Sequence, residues 1–191
     1  MNLRIRASAV RDLGLDYESL GGIFRAVDGA PVVTLEVSEE SAVALADHLG
    51  IAIRRCYISD DALEARVHET GRSRREIVEI KLPDRGSTMA GDFGEIITAI
   101  FQAAREHPAN VLDSKKWRLK QDRTQPAPKS DVVQLILPHW PDSSAYDRVL
   151  CSEVKTKSTS GDSEPIRTAI ADSKKDSDGR LAKTLNWLKE R

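Results

Sequence analysis

The segment DVVQLIL, residues 131–137, constrains this chain more than any other. Its aliphatic run, rich in β-branched residues, reads as a buried strand opened by an acid. PHWPDSSAYD supplies a return, and RVLCSEVKTK, residues 148–157, reads as the partner strand of a hairpin with a long turn. On that partner, Glu153 and Lys155 stand two residues apart, a spacing that turns both side chains to one face of a sheet. An acid and an amine aimed at one spot ask for a chemical explanation.

The flanking segments alternate strand and helix signals. PVVTLEV, residues 31–37, reads as a strand, followed by a helix with Ser38 as N-cap, Glu39 and Glu40 in its first turn and Gly50 as its end. Ser59 with Asp60 and Asp61 opens a second helix closed by Gly71, and EIVEIKL, residues 76–82, reads as another strand. PDRGSTMAG, residues 83–91, concentrates turn formers and marks a boundary. Beyond it, residues 94–106 carry Ile96, Ile97, Ile100, Ala103 and Ala104 on one helical arc that stops at His107-Pro108, with Glu95 off that arc. KKWRLKQ, residues 115–121, reads as a short strand and DRTQPAPKS as a loop. A helix is expected from Pro165, and another over 180–191 through Leu181, Leu185 and Leu188. The expectation is an α/β protein in two parts: a mixed α/β region over residues 1–85, suited to docking or regulation, and a core over 86–191. The core ends inside a helix without a stop signal, which reads as C-terminal incompleteness.

Charge narrows the function classes. With 29 Lys and Arg against 30 Asp and Glu, the formal net charge is -1, so the whole molecule is not a basic polyanion binder. Residues 1–85 carry 12 basic and 15 acidic side chains and residues 86–191 carry 17 and 15, which makes the second part the better neighbour for phosphate. Cys56 and Cys151 lie far apart without zinc-ligand spacing and read as reduced thiols. The N-terminus MNLRIRASAVRDLG has no signal-peptide core, and the longest apolar runs are too short to span a bilayer. A cytoplasmic protein without a membrane partner is expected.

Two carboxylates and a lysine at the ends of paired strands suit a hard metal, because Mg²⁺ takes one or two protein carboxylates, keeps water and leaves room for a phosphate. Asp131 and Glu153 are the candidate ligands, with Mn²⁺ an alternative to Mg²⁺, and Lys155 the candidate for offsetting charge on a phosphoryl group. The Glu-x-Lys spacing is weak alone. Glu79-Ile80-Lys81 repeats it, and Asp113-Ser114-Lys115 and Asp172-Ser173-Lys174 are close variants. What separates residues 153–155 is order: a helix bearing Glu95, a strand opened by Asp131, then the Glu-x-Lys strand. The bland counter-reading is a solvated cross-strand ion pair and, for Glu95, a solvent-facing helix acid. Lys116 beside Trp117, together with Lys157 and Lys174, are the candidate contacts to a DNA backbone, although a lone Trp among lysines is more often a core anchor. His48, His68, His107 and His139 share no ligand spacing.

Gly94-Glu95, Pro128-Lys129-Ser130-Asp131 and Glu153-Val154-Lys155 resemble the PD-(D/E)XK nuclease superfamily, whose core is that of type II restriction enzymes. The run GDFGEIITAI with WRLK, KSDVVQL, SEVKTK and RLAKTLNWLKE is similar, more specifically, to the HamA family, nuclease subunits of the Hachiman anti-phage system. The similarity covers residues 86–191 well and 1–85 loosely. It implies a restriction-endonuclease-like core with a central mixed sheet flanked by helices. It also implies a metal-dependent DNase that works with a HamB-like superfamily 2 helicase. By motif match, Asp131 and Glu153 would be the metal ligands, Lys155 the catalytic lysine and Glu95 an accessory acid. Two departures stand out: Lys129 and Ser130 separate Pro128 from Asp131, and no strand is evident after the last core helix. The competing readings are a non-catalytic scaffold of the same fold and a DNA-repair nuclease or resolvase.

Overall fold

The computed structural model describes residues 8–28, 32–127, 129–157 and 164–189. Pro128 of the motif, Pro31 at the start of the expected first strand, the last two residues of the expected terminal helix and residues 1–7 lie outside them.

The expected hairpin forms the centre of the fold. A short first strand β1 (Ser8–Ala9) is followed by α1 (Tyr17–Gly21) and a ribbon of β2 (Arg25–Asp28) and β3 (Thr34–Glu36). Three helices come next, α2 (Glu39–Tyr57), α3 (Asp60–Thr70) and α4 (Arg74–Lys81), and then the long α5 (Ser87–Glu106). β4 (Asn110–Asp113), a 3-10 turn at Lys116–Leu119, β5 (Val132–Leu137) and β6 (Arg148–Ser152) complete the sheet, before α6 (Pro165–Lys175) and α7 (Leu181–Lys189). The sheet order is β1-β4-β5-β6 with every neighbour antiparallel, which corrects the expected mixed sheet among the described residues. Hairpin connection of β5 to β6 dictates that direction, and β4 reaches β5 through a loop on the same sheet rather than through a crossover helix.

Helix α5 covers the sheet. Ile96, Ala99, Ile100, Ala103 and Ala104 repeat at helical spacing and pack with Val111 of β4 and Val132 and Ile136 of β5. Leu45, Leu49, Ala52 and Cys56 of α2 and Leu13, Tyr17 and Leu20 belong to the same cluster, so the main core draws on residues both before and after position 85. Ile96 and Ile136 are fully buried, each worth roughly 1.5–3 kcal/mol of apolar transfer. A smaller cluster of Ile58, Leu63 and Ile77 joins α3 to α4.

Several expected elements are corrected. Residues 76–82 lie in and just after helix α4, not a strand. Ser73 and Glu76 make a reciprocal capping box, and that cap outweighs the β-branched EIVEI pattern. Gly50 sits inside α2, which runs on to Tyr57 because Leu49, Ala52 and Cys56 continue the buried stripe. Helix α5 begins at Ser87, inside the stretch read as a boundary. Residues 116–119 form a 3-10 turn, and the strand lies earlier, at Asn110–Asp113. The partner strand stops at Ser152, five residues short of Lys157. The caps at Ser38 and Ser59 and the left-handed Gly71 (φ 68°) stand as read. Among the described residues no helix is long and apolar enough to cross a membrane.

Candidate active site

The open end of the hairpin gathers the candidate residues. Val132 pairs with Ser152 in the β5–β6 register, so one further step sets Asp131 opposite Glu153. Asp131 closes that step by itself: its Oδ2 accepts the Val154 N–H at 2.8 Å, while its other carboxylate oxygen accepts no hydrogen bond among the described residues. Helix α5 lies against the same segment. A Cβ on Gly94 would stand 2.0 Å from Thr156 Oγ1, 3.3 Å from Thr156 Cβ and 3.4 Å from Val154 Cγ1, so the missing side chain is what lets residues 154–156 approach Glu95's turn of helix.

Glu153 is held by two cations. Lys155 Nζ donates to Oε1 at 2.5 Å and Arg180 Nη2 to Oε2 at 2.6 Å, leaving the Glu153 side chain 4% exposed. Lys155 also reaches Asp172 Oδ2 at 3.0 Å. Burial works against the charge of Lys155, but its hydrogen bonds to Glu153 and Asp172 prevail and raise its pKa. Hydrogen bonds from Lys175 and Lys155 hold Asp172 down at about 2. Arg180 is anchored in turn by buried Asp176, through Nε at 2.6 Å and Nη2 at 3.0 Å. Asp176 Oδ1 accepts the Ser130 hydroxyl at 2.7 Å, and Thr184 Oγ1 accepts the Ser130 N–H at 3.2 Å. Residues of α6, of the turn after it and of α7 thus tie down Lys155, Glu153 and the neighbour of Asp131.

Glu95 is buried, not solvent-facing. Its Oε2 accepts Trp117 Nε1–H at 3.0 Å and Lys116 Nζ at 3.1 Å. Burial pushes its pKa from 4.5 up to about 7, against the pull of Lys116, and the charge of Asp131 adds to the rise. Lys116 is itself buried and donates its second bond to the Ser130 carbonyl at 2.9 Å. That position makes it an internal counter-ion, which corrects the expected contact to a DNA backbone: an ammonium closed between a carboxylate and a carbonyl presents no charge to an external phosphate. Trp117 is the core anchor rather than a stacking platform. The side chain of half-buried Lys120 is likewise enclosed against Asp92, which also accepts the Tyr57 hydroxyl at 2.8 Å. Lys157 and Lys174 are exposed, as a phosphate contact requires.

Of the residues singled out in the sequence, Glu95, Asp131, Glu153 and Lys155 come to one end of the hairpin. Glu79 and Lys81 go to helix α4, outside it. Arg180 and Asp176 carry no site motif in the sequence, Ser130 stands there only as a spacer in the Pro128–Asp131 motif, and Asp172 only as one of the weak Asp-x-Lys matches. The crowding of charge in DSKKDSDGR, residues 172–180, is the sequence signal for Asp172, Asp176 and Arg180. Among the described residues no three His, Cys, Asp or Glu side chains converge closely enough to hold a metal by themselves. The donor types nonetheless suit a hard divalent cation: Asp131 has an oxygen that accepts no hydrogen bond among the described residues, Glu153 is a second carboxylate whose two oxygens are held by Lys155 and Arg180, and Mg²⁺ needs no more than two carboxylates when water fills its remaining positions.

Two comparisons, with curated proteins and with solved structures, find no match. A family model, HamA, matches residues 29–191, which takes in β3, all of α2 to α7 and the whole hairpin. With that match spanning most of its length, the chain belongs to the HamA family.

Proposed function

We propose that this protein is a metal-dependent deoxyribonuclease of PD-(D/E)XK type, the effector of a Hachiman anti-phage complex that works with a superfamily 2 helicase. The observation that carries the reading is the meeting of Asp131, Glu153 and Lys155 at one end of the hairpin, with Glu95 on the helix alongside. Asp131 and Glu153 would hold Mg²⁺ or Mn²⁺. The ion, when bound, supplies Lewis-acid polarisation of a phosphoryl oxygen. Lys155 brings a fixed positive charge to the place where a phosphate would gain negative charge. Glu95, with a pKa near neutrality, can hold or release a proton beside Asp131. Lys157 and Lys174 would meet the DNA backbone.

Plasmid DNA incubated with the protein, with and without its helicase, in Mg²⁺ and in EDTA, tests this. Cleavage is expected in Mg²⁺ alone and is lost in Glu153→Gln and Lys155→Met. Equal cleavage by those variants overturns the site. A second reading, a non-catalytic docking module, is favoured by one observation: both oxygens of Glu153 are already engaged by cations. It predicts co-purification with the helicase and no cleavage under any condition. A repair nuclease would instead cut branched DNA selectively without a partner.

A further inference from the structure

Glu153 is sealed in a way its role as a ligand does not require. Its side chain is 4% exposed, and the two groups that cover it are both cations. A Mg²⁺ ion, which sheds its water reluctantly, cannot reach a carboxylate enclosed in that manner until one cation moves. Lys155 belongs to the chemistry proposed above. Arg180 does not, and its guanidinium remains charged at any physiological pH, so deprotonation cannot clear the way.

The surroundings of Arg180 are built for displacement. It follows Gly179, whose φ of 132° lies where L side chains are strained, in the widened turn Asp176–Arg180 that joins α6 to α7. Helix α6 buries no residue, and in α7 only Thr184 is fully buried while Leu181, Leu185, Trp187 and Leu188 are half-buried; the pair is tied to the hairpin by polar bonds, from Thr184 and Asp176 to Ser130, Asp172 to Lys155, and Arg180 to Glu153. An element such as α6, with no buried residue, opens at low free-energy cost. Arg180 also has a second anchor, since Asp176 already accepts two of its hydrogen bonds. Release of Glu153 therefore leaves the guanidinium paired and Glu153 Oε2 open, with Oε1 still held by Lys155: two arrangements of the Arg180 side chain that differ by one ion pair.

We propose that Arg180 is a latch on Glu153: the closed pair keeps the carboxylate from a divalent cation, and movement of the α6–α7 junction releases it. The proposal rests on the metal-site reading of Asp131 and Glu153. The opposite role, with Arg180 orienting Glu153 for the ion, makes the opposite prediction, because loss of an orienting partner weakens metal binding.

Mn²⁺ binding to the full chain, followed by the loss of the free-ion signal in electron paramagnetic resonance, separates them. Arg180→Gln is expected to bind Mn²⁺ on the order of tenfold more tightly than wild type, the scale of repulsion between a single and a double charge a few ångströms apart in a water-like dielectric. Arg180→Lys, which keeps the charge without the fork of donors, falls between. The gain disappears in Arg180→Gln/Glu153→Gln. Equal or weaker binding by a folded Arg180→Gln overturns the latch while leaving the metal site in place. Absence of Mn²⁺ binding in both wild type and Arg180→Gln overturns the metal site and the latch with it. Should Arg180→Gln not fold, hydrogen exchange on wild type decides: Mn²⁺ is expected to speed exchange over residues 176–184, and unchanged exchange in the Mn²⁺-bound protein overturns the proposal.

Discussion

Glu95→Gln tests the electrostatics of the site without relying on any activity. In the folded protein the Glu95 carboxyl titrates at about 7, against 4.5 for the same group in the open. Below 4.5 both states carry the proton and the group costs the fold nothing. Between 4.5 and 7 the folded state keeps a proton that the unfolded chain has lost, so this contribution to stability falls as pH rises, and the full cost stands above 7. At 1.36 kcal/mol per pH unit, the ceiling is about 3 kcal/mol. Glutamine cannot titrate, so this slope vanishes in the variant. Urea unfolding of both proteins from about pH 5 to about pH 8 is expected to show wild type losing roughly 2–3 kcal/mol relative to Glu95→Gln. Absolute stability of the variant also reflects the lost anionic partner of buried Lys116, so the difference in slope is the quantity to read. Parallel curves for the two proteins would refute the burial argument for Glu95.

Gly94→Ala is expected to lose about 1–3 kcal/mol by overpacking against Thr156, despite a better helix propensity. The double variant with Thr156→Ala should recover much of that loss in denaturant titrations, and additive losses would contradict the close approach. Ser73→Ala removes the capping box of α4 and is expected to cost about 1 kcal/mol in the same assay, with a change below a few tenths counting against the cap as the determinant of that helix.

What the sequence disclosed follows the range of the interactions concerned. The caps at Ser38 and Ser59 and the hairpin of residues 132–152 were legible because each is specified by neighbours within a few positions or by a long apolar run. Residues 76–82 mislead because the β-branched EIVEI pattern points to a strand, whereas the Ser73-to-Glu76 spacing, itself a local signal, sets the helix. Lys116 was a different kind of failure. Its burial is enforced by Glu95 on another element and by the carbonyl of Ser130, and nothing within KKWRLKQ distinguishes a lysine bound for the interior from one bound for solvent. Arg180 was hidden for the same reason, since 27 positions separate it from Glu153. Asp172 stands in the sequence as an Asp-x-Lys match with Lys174, whereas its partners are Lys175 one helical turn on and Lys155 in a different segment.

The indole of Trp117, hydrogen-bonded to the carboxylate of Glu95 in a buried setting, has an optical consequence. An excited indole responds to the charge on the group it touches, so emission from this residue will report the protonation of its neighbour. With Trp140 and Trp187 replaced by Phe, the protein would carry a single tryptophan, excited to the red of its three tyrosines, at the inner wall of the candidate site, reading out in real time the charge beside it without any dye attached.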